Sequence, residues 1–248
     1  MTTGAIYILT QNARYLPLAL ESLATVKRAM PDLPVTFLSQ FPVSSPLIDR
    51  VIPVAPTGNG FYDKTRLMRE SPYDRTLFID ADIYVVKSFP EMFDLLDRFD
   101  CAATHEEYLD TDWFHHYPRP DIPASFPEFN TGILLFKRSP QMDGVLKKWE
   151  ALYADYLRQN AGQPIVAQQM NDQPFFRAAI YESDARMATL PREYNCKFRG
   201  QGYLNGPVKL LHGHIEYQFD AKQLSQAMAA LNASGLASTS PAASMTKS

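Results

Sequence analysis

Asp80 and Asp82 end the apolar run Leu77-Phe78-Ile79 as Asp80-Ala81-Asp82, and they are the residues best placed to do chemistry. In an extended chain, residues two apart point the same way, so both carboxylates can converge on one cation. Placement carries the argument, because the spacing alone is common and recurs at Asp110-Thr111-Asp112. A pair of charges closing a hydrophobic strand is costly unless it is hydrated, caps a turn or binds a metal. A late group, His212-Gly213-His214, follows the apolar segment Val208 to Leu211, and an imidazole there is compatible with an oxygen-rich site holding manganese.

Three further groups have polar residues beside apolar runs. Phe129-Asn130-Thr131-Gly132 precedes Ile133 to Phe136, so an amide and a closely approaching backbone can face a ligand hydroxyl; simple turn chemistry is the other reading. Asn171-Asp172-Gln173-Pro174 has the form of a helix start with Pro in the first turn, and capping by itself accounts for Asp172. The stretch from Glu106 to Glu128 is long, polar and rich in Pro, with Trp113, Phe114, His115, His116 and Tyr117 near its middle. Loops of that length are often binding loops or lids, and these rings can stack on a sugar face or pin the loop to the body.

The elements that must position these groups alternate. Ala5 to Thr10 reads as a buried strand, followed by a helix with Leu16, Leu20, Leu23 and Met30 on one face. Strands are expected at Val35 to Ser39, Val51 to Val54, Thr76 to Ile79, Cys101 to Thr104 and Gly132 to Phe136. Helical patterns fall at Lys64 to Arg69, Pro90 to Phe99 and from Ser139-Pro140 to about Gln159. Strands separated by helices imply a single α/β domain with a mostly parallel central sheet, whose ligands sit beyond the carboxyl ends of the strands.

With 248 residues, 24 Lys plus Arg, 27 Asp plus Glu and 46% hydrophobic residues, the chain is long enough for one sizeable core. The formal charge of −3 and the lack of a basic cluster argue against a nucleic-acid partner. Cys101 and Cys196 stand alone, without metal-ligand spacing. No apolar run approaches a transmembrane length, and the opening residues lack the pattern of a secretory signal, so a cytoplasmic protein is expected. Residues 1–220 are read as the domain. The tail 221–248 is read as a short helix followed by a disordered segment rich in Ala, Ser and Thr.

Taken in order, Asp80-Ala81-Asp82, Asn130-Thr131-Gly132, Asp172-Gln173 and the late His212 resemble the GT-A glycosyltransferases. The nearest likeness is to the retaining, family 8-like group that includes glycogenin and bacterial galactosyltransferases. Lys64, sixteen residues before Asp80, matches the same pattern, and the likeness extends from about Ile6 to His214. It implies a Rossmann-like nucleotide-diphospho-sugar transferase fold. Asp80, Asp82 and His212, or His214 in its place, would hold Mn2+ or Mg2+. Thr10, Asn12 and Tyr15 would meet the base and ribose, with Lys64, Arg66, Ala81 and Asn130 also on the donor. Asp172 and Gln173 would lie near the anomeric carbon. The family's histidine is usually followed by a Gly and then Lys-Pro-Trp, whereas here the chain continues Gly213-His214-Ile215-Glu216-Tyr217.

The activity implied is transfer of a sugar from a nucleotide diphosphate sugar, most simply a UDP-sugar, to a hydroxyl acceptor gripped by Trp113, His115, His116 and Tyr117. Retention needs no dedicated general base in the front-face mechanism; inversion does, and Asp172, Glu128 and Glu193 are the candidates. Two other readings fit parts of the pattern. A phosphatase of the haloacid dehalogenase type also places Asp-x-Asp after a strand, but it needs a later paired-acid motif that Asp100 to Asp220 lacks. A non-catalytic sugar-nucleotide or glycan-binding module would keep the fold without turnover.

Overall fold

The computed structural model describes residues 1–106, 117–162, 171–197 and 204–213. Seven strands form the central sheet: β1 (Thr3–Leu9), β2 (Val35–Ser39), β3 (Arg50–Pro53), β4 (Arg75–Ile79), β6 (Cys101–His105), β7 (Phe129–Lys137) and β8 (Met187–Thr189), in the order β3-β2-β1-β4-β7-β6-β8. Pairing is parallel except where β7 runs antiparallel to both β4 and β6. A second, three-stranded sheet joins β5 (Ile83–Val85), β10 (Leu210–His212) and β9 (Cys196–Lys197) in the order β5-β10-β9.

Both faces of the large sheet are covered, and so its strands read as nearly continuous apolar runs. Alternate residues sort to opposite sides. Ala5, Tyr7, Leu77 and Ile79 pack with Leu23 and Val26 of α1 (Tyr15–Ala29). Ile6, Phe78 and Leu134 pack with Trp149 and Tyr153 of α3 (Pro140–Gln159) and with Phe175 and Phe176 of α4 (Gln173–Tyr181). A further α-helix, α2 (Gly60–Leu67), is capped by the Asn59 side chain, which accepts from the Tyr62 N–H. As the sequence indicates, Ser139 caps α3, accepting from Met142 N with Pro140 in the first turn. Among the described residues no helix is long and apolar enough to cross a membrane.

This topology gathers chemistry at one edge. The carboxyl ends of β1, β4 and β6 lie there because these strands run in one sense. The antiparallel β7 brings its amino end, Phe129 to Gly132, to the same place. Ile79 pairs with Ile133, Thr104 with Asn130, and Asp80 N donates to Gly132 O at 2.9 Å.

Candidate functional site

Asp80, Ala81 and Asp82 occupy the turn between β4 and β5, where Ile83 N donates to Asp80 O at 3.2 Å. The extended geometry expected for these residues is therefore replaced by a turn, and the carboxylates converge because the chain folds back into the small sheet. Pairing of Ile83 with His212 across β5 and β10, together with Gly213 N donating to Asp82 O at 3.0 Å, brings the late histidine alongside. One ligating atom each from Asp80, Asp82 and His212 lie within 4.8 Å of one another, and His212 Nε2 is 3.6 Å from Asp82 Oδ1.

Electrostatics at this turn favours a cation. Loss of hydration pushes Asp80 up to about 6 despite the pull of Lys64. Loss of hydration and the nearby Asp80 charge hold Asp82 well above the ordinary carboxylate range. Two hard oxygen ligands and one imidazole fit manganese or magnesium. The backbone also leaves the space: a Cβ on Gly132 would lie 2.6 Å from His212 Cε1 and 3.0 Å from Asp80 Oδ2. His214, the alternative ligand, lies outside the described residues, as do Trp113, His115, His116, Asp110, Asp112 and the tail.

Lys64, projecting from α2, is buried between two acids. Its Nζ is 3.5 Å from Asp80 Oδ2 and 3.5 Å from Asp172 Oδ2, and it donates to Thr131 Oγ1 at 3.0 Å. Burial lowers the ammonium's pKa, but Asp172 and Asp80 outweigh it and leave the pKa raised. Asp172 does not cap α4 with its side chain, contrary to the capping account of this residue. Its Oδ2 instead accepts from Thr131 Oγ1 at 2.8 Å, while Trp149 Nε1 donates to its carbonyl at 3.0 Å. The local turn is made by Asn171, whose Oδ1 accepts from Gln173 N at 3.1 Å.

Beside it lies a buried amide network. Gln173 Nε2 donates to Glu106 Oε2 at 2.9 Å and to Glu128 Oε1 at 3.3 Å, and Gln173 Oε1 accepts from Asn130 Nδ2 at 3.0 Å. Asn130 Nδ2 also donates to Glu106 Oε2 at 2.8 Å. Glu106 forms a buried ion pair with Lys197. Burial raises the pKa of Glu106, but Lys197 and the two amides overcome this and hold it below the usual range. Glu128 is different: burial pushes it up to about 8, with the Gln173 hydrogen bond opposing and the Glu106 charge adding to the rise.

The other residues expected at the site make contacts within the protein. Thr10 is buried at the end of β1, and Asn12 Oδ1 accepts from Arg14 N at 3.0 Å. Tyr15, opening α1, has the Arg14 guanidinium 5.4 Å above its ring. Arg66 donates to Ala55 O at 2.8 Å and lies 3.5 Å from Asp63 Oδ1. Tyr117 packs on Phe175, with centroids 4.2 Å apart. Glu193 accepts from the backbone N–H groups of Asn205 and Gly206 and so fastens a loop. Sequence reasoning missed Thr131 as a contact of Lys64, and Glu106, Asn195 and Lys197 altogether. Only Thr131, inside Asn130-Thr131-Gly132, carried any local signal.

A mostly parallel sheet with this crevice is the GT-A glycosyltransferase architecture, and solved structures share it. The chain is similar to the galactosyltransferase LgtC, in complex with donor and acceptor sugar analogues, at 14% identity and TM-score 0.56, covering 91% of this chain and 95% of that one. It is similar to mouse xyloside xylosyltransferase 1 in apo form at 16% identity and TM-score 0.56, covering 89% and 100%. The glycosyltransferase GlyE of Streptococcus pneumoniae TIGR4 gives 14% identity and TM-score 0.58, covering 94% and 61%. No curated protein sequence matches. Residues 62–220, more than half the chain, match Glycosyl transferase family 8, and the chain belongs to that family. It is a glycosyltransferase by family, and the phosphatase reading falls away.

Proposed function

We propose that this glycosyltransferase moves a sugar from a nucleotide diphosphate sugar, a UDP-sugar, to a hydroxyl acceptor with retention at the anomeric carbon, using Mn2+ or Mg2+ and acting in the cytoplasm. The observation that carries this reading is the convergence of Asp80, Asp82 and His212 within 4.8 Å beside a buried Lys64. A divalent ion held by these three residues would stabilise the charge that develops on the departing nucleotide diphosphate. Lys64 is the cation this chain itself supplies, its charge secured by Asp80 and Asp172 on either side.

Near the reacting carbon, Asn130, Asp172 and Gln173 are the groups proposed to meet the donor sugar. Gln173 is neutral and held from three directions, so it offers a fixed dipole to a centre that becomes oxocarbenium-like. Retention draws support from the state of the candidate bases. With its carboxyl pushed up to about 8, Glu128 holds its proton at neutral pH, and Glu193 is spent on backbone amides. Asp172 is buried against Thr131 and Lys64. All three carboxyls are thus engaged within the protein rather than left for an acceptor hydroxyl. The acceptor is proposed to be held by the loop containing Trp113, His115, His116 and Tyr117.

Hydrolysis and transfer assays over a panel of nucleotide sugars, with and without Mn2+ and with Asp82→Ala as control, test the activity. Proton NMR of the first-formed anomer tests its stereochemistry. An inverted anomer would overturn retention. Metal-dependent binding of a donor without turnover of any would make the chain a binding module of the same fold.

A further inference from the structure

One buried amide touches both the metal side and the sugar side of the site. Asn195 lies between a short helical turn, Arg192–Tyr194, and β9, and is 3% exposed. Its Oδ1 is 2.8 Å from His212 Nδ1, and its Nδ2 donates to Asn130 Oδ1 at 2.8 Å and to Thr104 Oγ1 at 3.1 Å. The direction of these bonds follows from groups that have no choice. Gly132 N–H is a fixed backbone donor, and it donates to Asn130 Oδ1 at 3.0 Å. The Glu106 carboxylate accepts from the other end of that amide, so the facing of Asn130 is fixed from both ends. Since Asn130 presents oxygen to Asn195, Asn195 must present Nδ2 in return, which turns its own Oδ1 toward His212. A carbonyl oxygen only accepts, so Nδ1 of His212 carries a proton, and in the neutral imidazole Nε2, the nitrogen facing Asp82, keeps its lone pair.

We propose that Asn195 is a positioning residue that fixes His212 as the Nδ1–H tautomer, aims Nε2 at the metal position and ties that ligand to the sugar-facing amide of Asn130. The metal half of this inference rests on the function proposed above; the tautomer half stands without it. Orienting partners of metal-bound histidines typically contribute about 10–100-fold to metal affinity.

The test uses the full chain. Long-range 1H–15N correlation of histidine-labelled, metal-free protein reads the His212 tautomer, with His212→Asn assigning the signals. The wild type should show Nδ1–H, and Asn195→Ala should show mixed tautomers. Mn2+ titration followed by electron paramagnetic resonance should give Asn195→Ala a Kd about 10–100-fold weaker. Asn195→Asp separates the two contacts: its carboxylate still accepts from His212 but cannot donate to Asn130. It should keep Mn2+ affinity near wild type and lose kcat more than it raises KM. An Nε2–H tautomer in the wild type, or an unchanged Nδ1–H tautomer in Asn195→Ala, would overturn the proposal. If Asn195→Ala does not fold, the wild-type tautomer and Asn195→Asp decide. Failure of the wild type to bind Mn2+ or turn over any donor would count against the proposed function and leave the tautomer result to judge this one.

Discussion

Two carboxylates on one turn, each shifted toward its neutral form, place Asp80 and Asp82 among residues that a fold tolerates for what they bind rather than for what they pack. Replacing either with Ala should remove metal-dependent turnover by on the order of 1,000-fold, the several kcal/mol expected of a Lewis acid at a leaving group. In metal-free buffer Asp82→Ala should melt no lower than wild type, because a poorly hydrated acid has been removed, whereas Asp80→Ala leaves the buried Lys64 with Asp172 alone and should lose some stability. Unfolding would instead identify the pair as a structural turn cap. Glu128 gives a second, pH-based expectation. Its folded pKa of about 8 lies above its ordinary 4.5, so the folded state retains a proton that the unfolded chain releases. The stability that Glu128 contributes is complete below about 4.5 and is lost as pH rises toward 8, by at most about 1.4 kcal/mol per pH unit. Glu128→Gln, which mimics the protonated group, should flatten this part of the melting-temperature profile between pH 5 and 8, read by calorimetry.

At the scale of elements, the site depends on how closely β7 and β10 approach. Gly132 is the residue that permits it, since any Cβ there would strike the His212 ring. Gly132→Ala should cost about 1–3 kcal/mol as an overpacked contact and weaken Mn2+ binding, while the β4–β7 pairing survives. Loss of stability with metal affinity unchanged would refute that account. Elements were legible in the sequence in proportion to their length and periodicity. β1, β2, β4, β7, α1 and α3 each carry an apolar pattern long enough to read, and Ser139-Pro140 marks the start of α3 to the residue. β5, β8, β9 and β10 have only two or three residues, too few for any period, so the small sheet that delivers His212 is invisible without the fold. The acids of the turn could be found because they follow an apolar strand. Asn195 and Lys197 could not, because a lone amide and a lone lysine in a polar stretch acquire meaning only from Asn130 and Glu106 across the crevice.

For the molecule as a whole, charge sharpens what the site must do. The segment 221–248 contributes two lysines and no acids, which leaves 22 Lys plus Arg against 27 Asp plus Glu on the rest, a net −5. An acidic domain meets an anionic diphosphate only where local cations reverse the field, here Lys64 and the proposed metal. UDP alone should therefore shift the melting temperature by less than about 1 °C. UDP with Mn2+ should raise it several degrees, since saturation at about 100 times Kd adds about 2.7 kcal/mol. An equal shift without metal would remove the metal from donor binding.

The pairing of Ile83 with His212 also bears on how the protein is made. β1 to β4 and the helices between them are translated before Asp82, and His212 follows 130 residues after it. At about 5–20 residues per second, a ribosome spends on the order of ten seconds between them. During that interval the nascent chain already holds the first carboxylates and the amino-terminal strands but lacks the imidazole. Completion of the Asp80, Asp82 and His212 cluster thus waits for a segment made well after the strand that carries its carboxylates, and a chain abandoned before Leu210 would lack it.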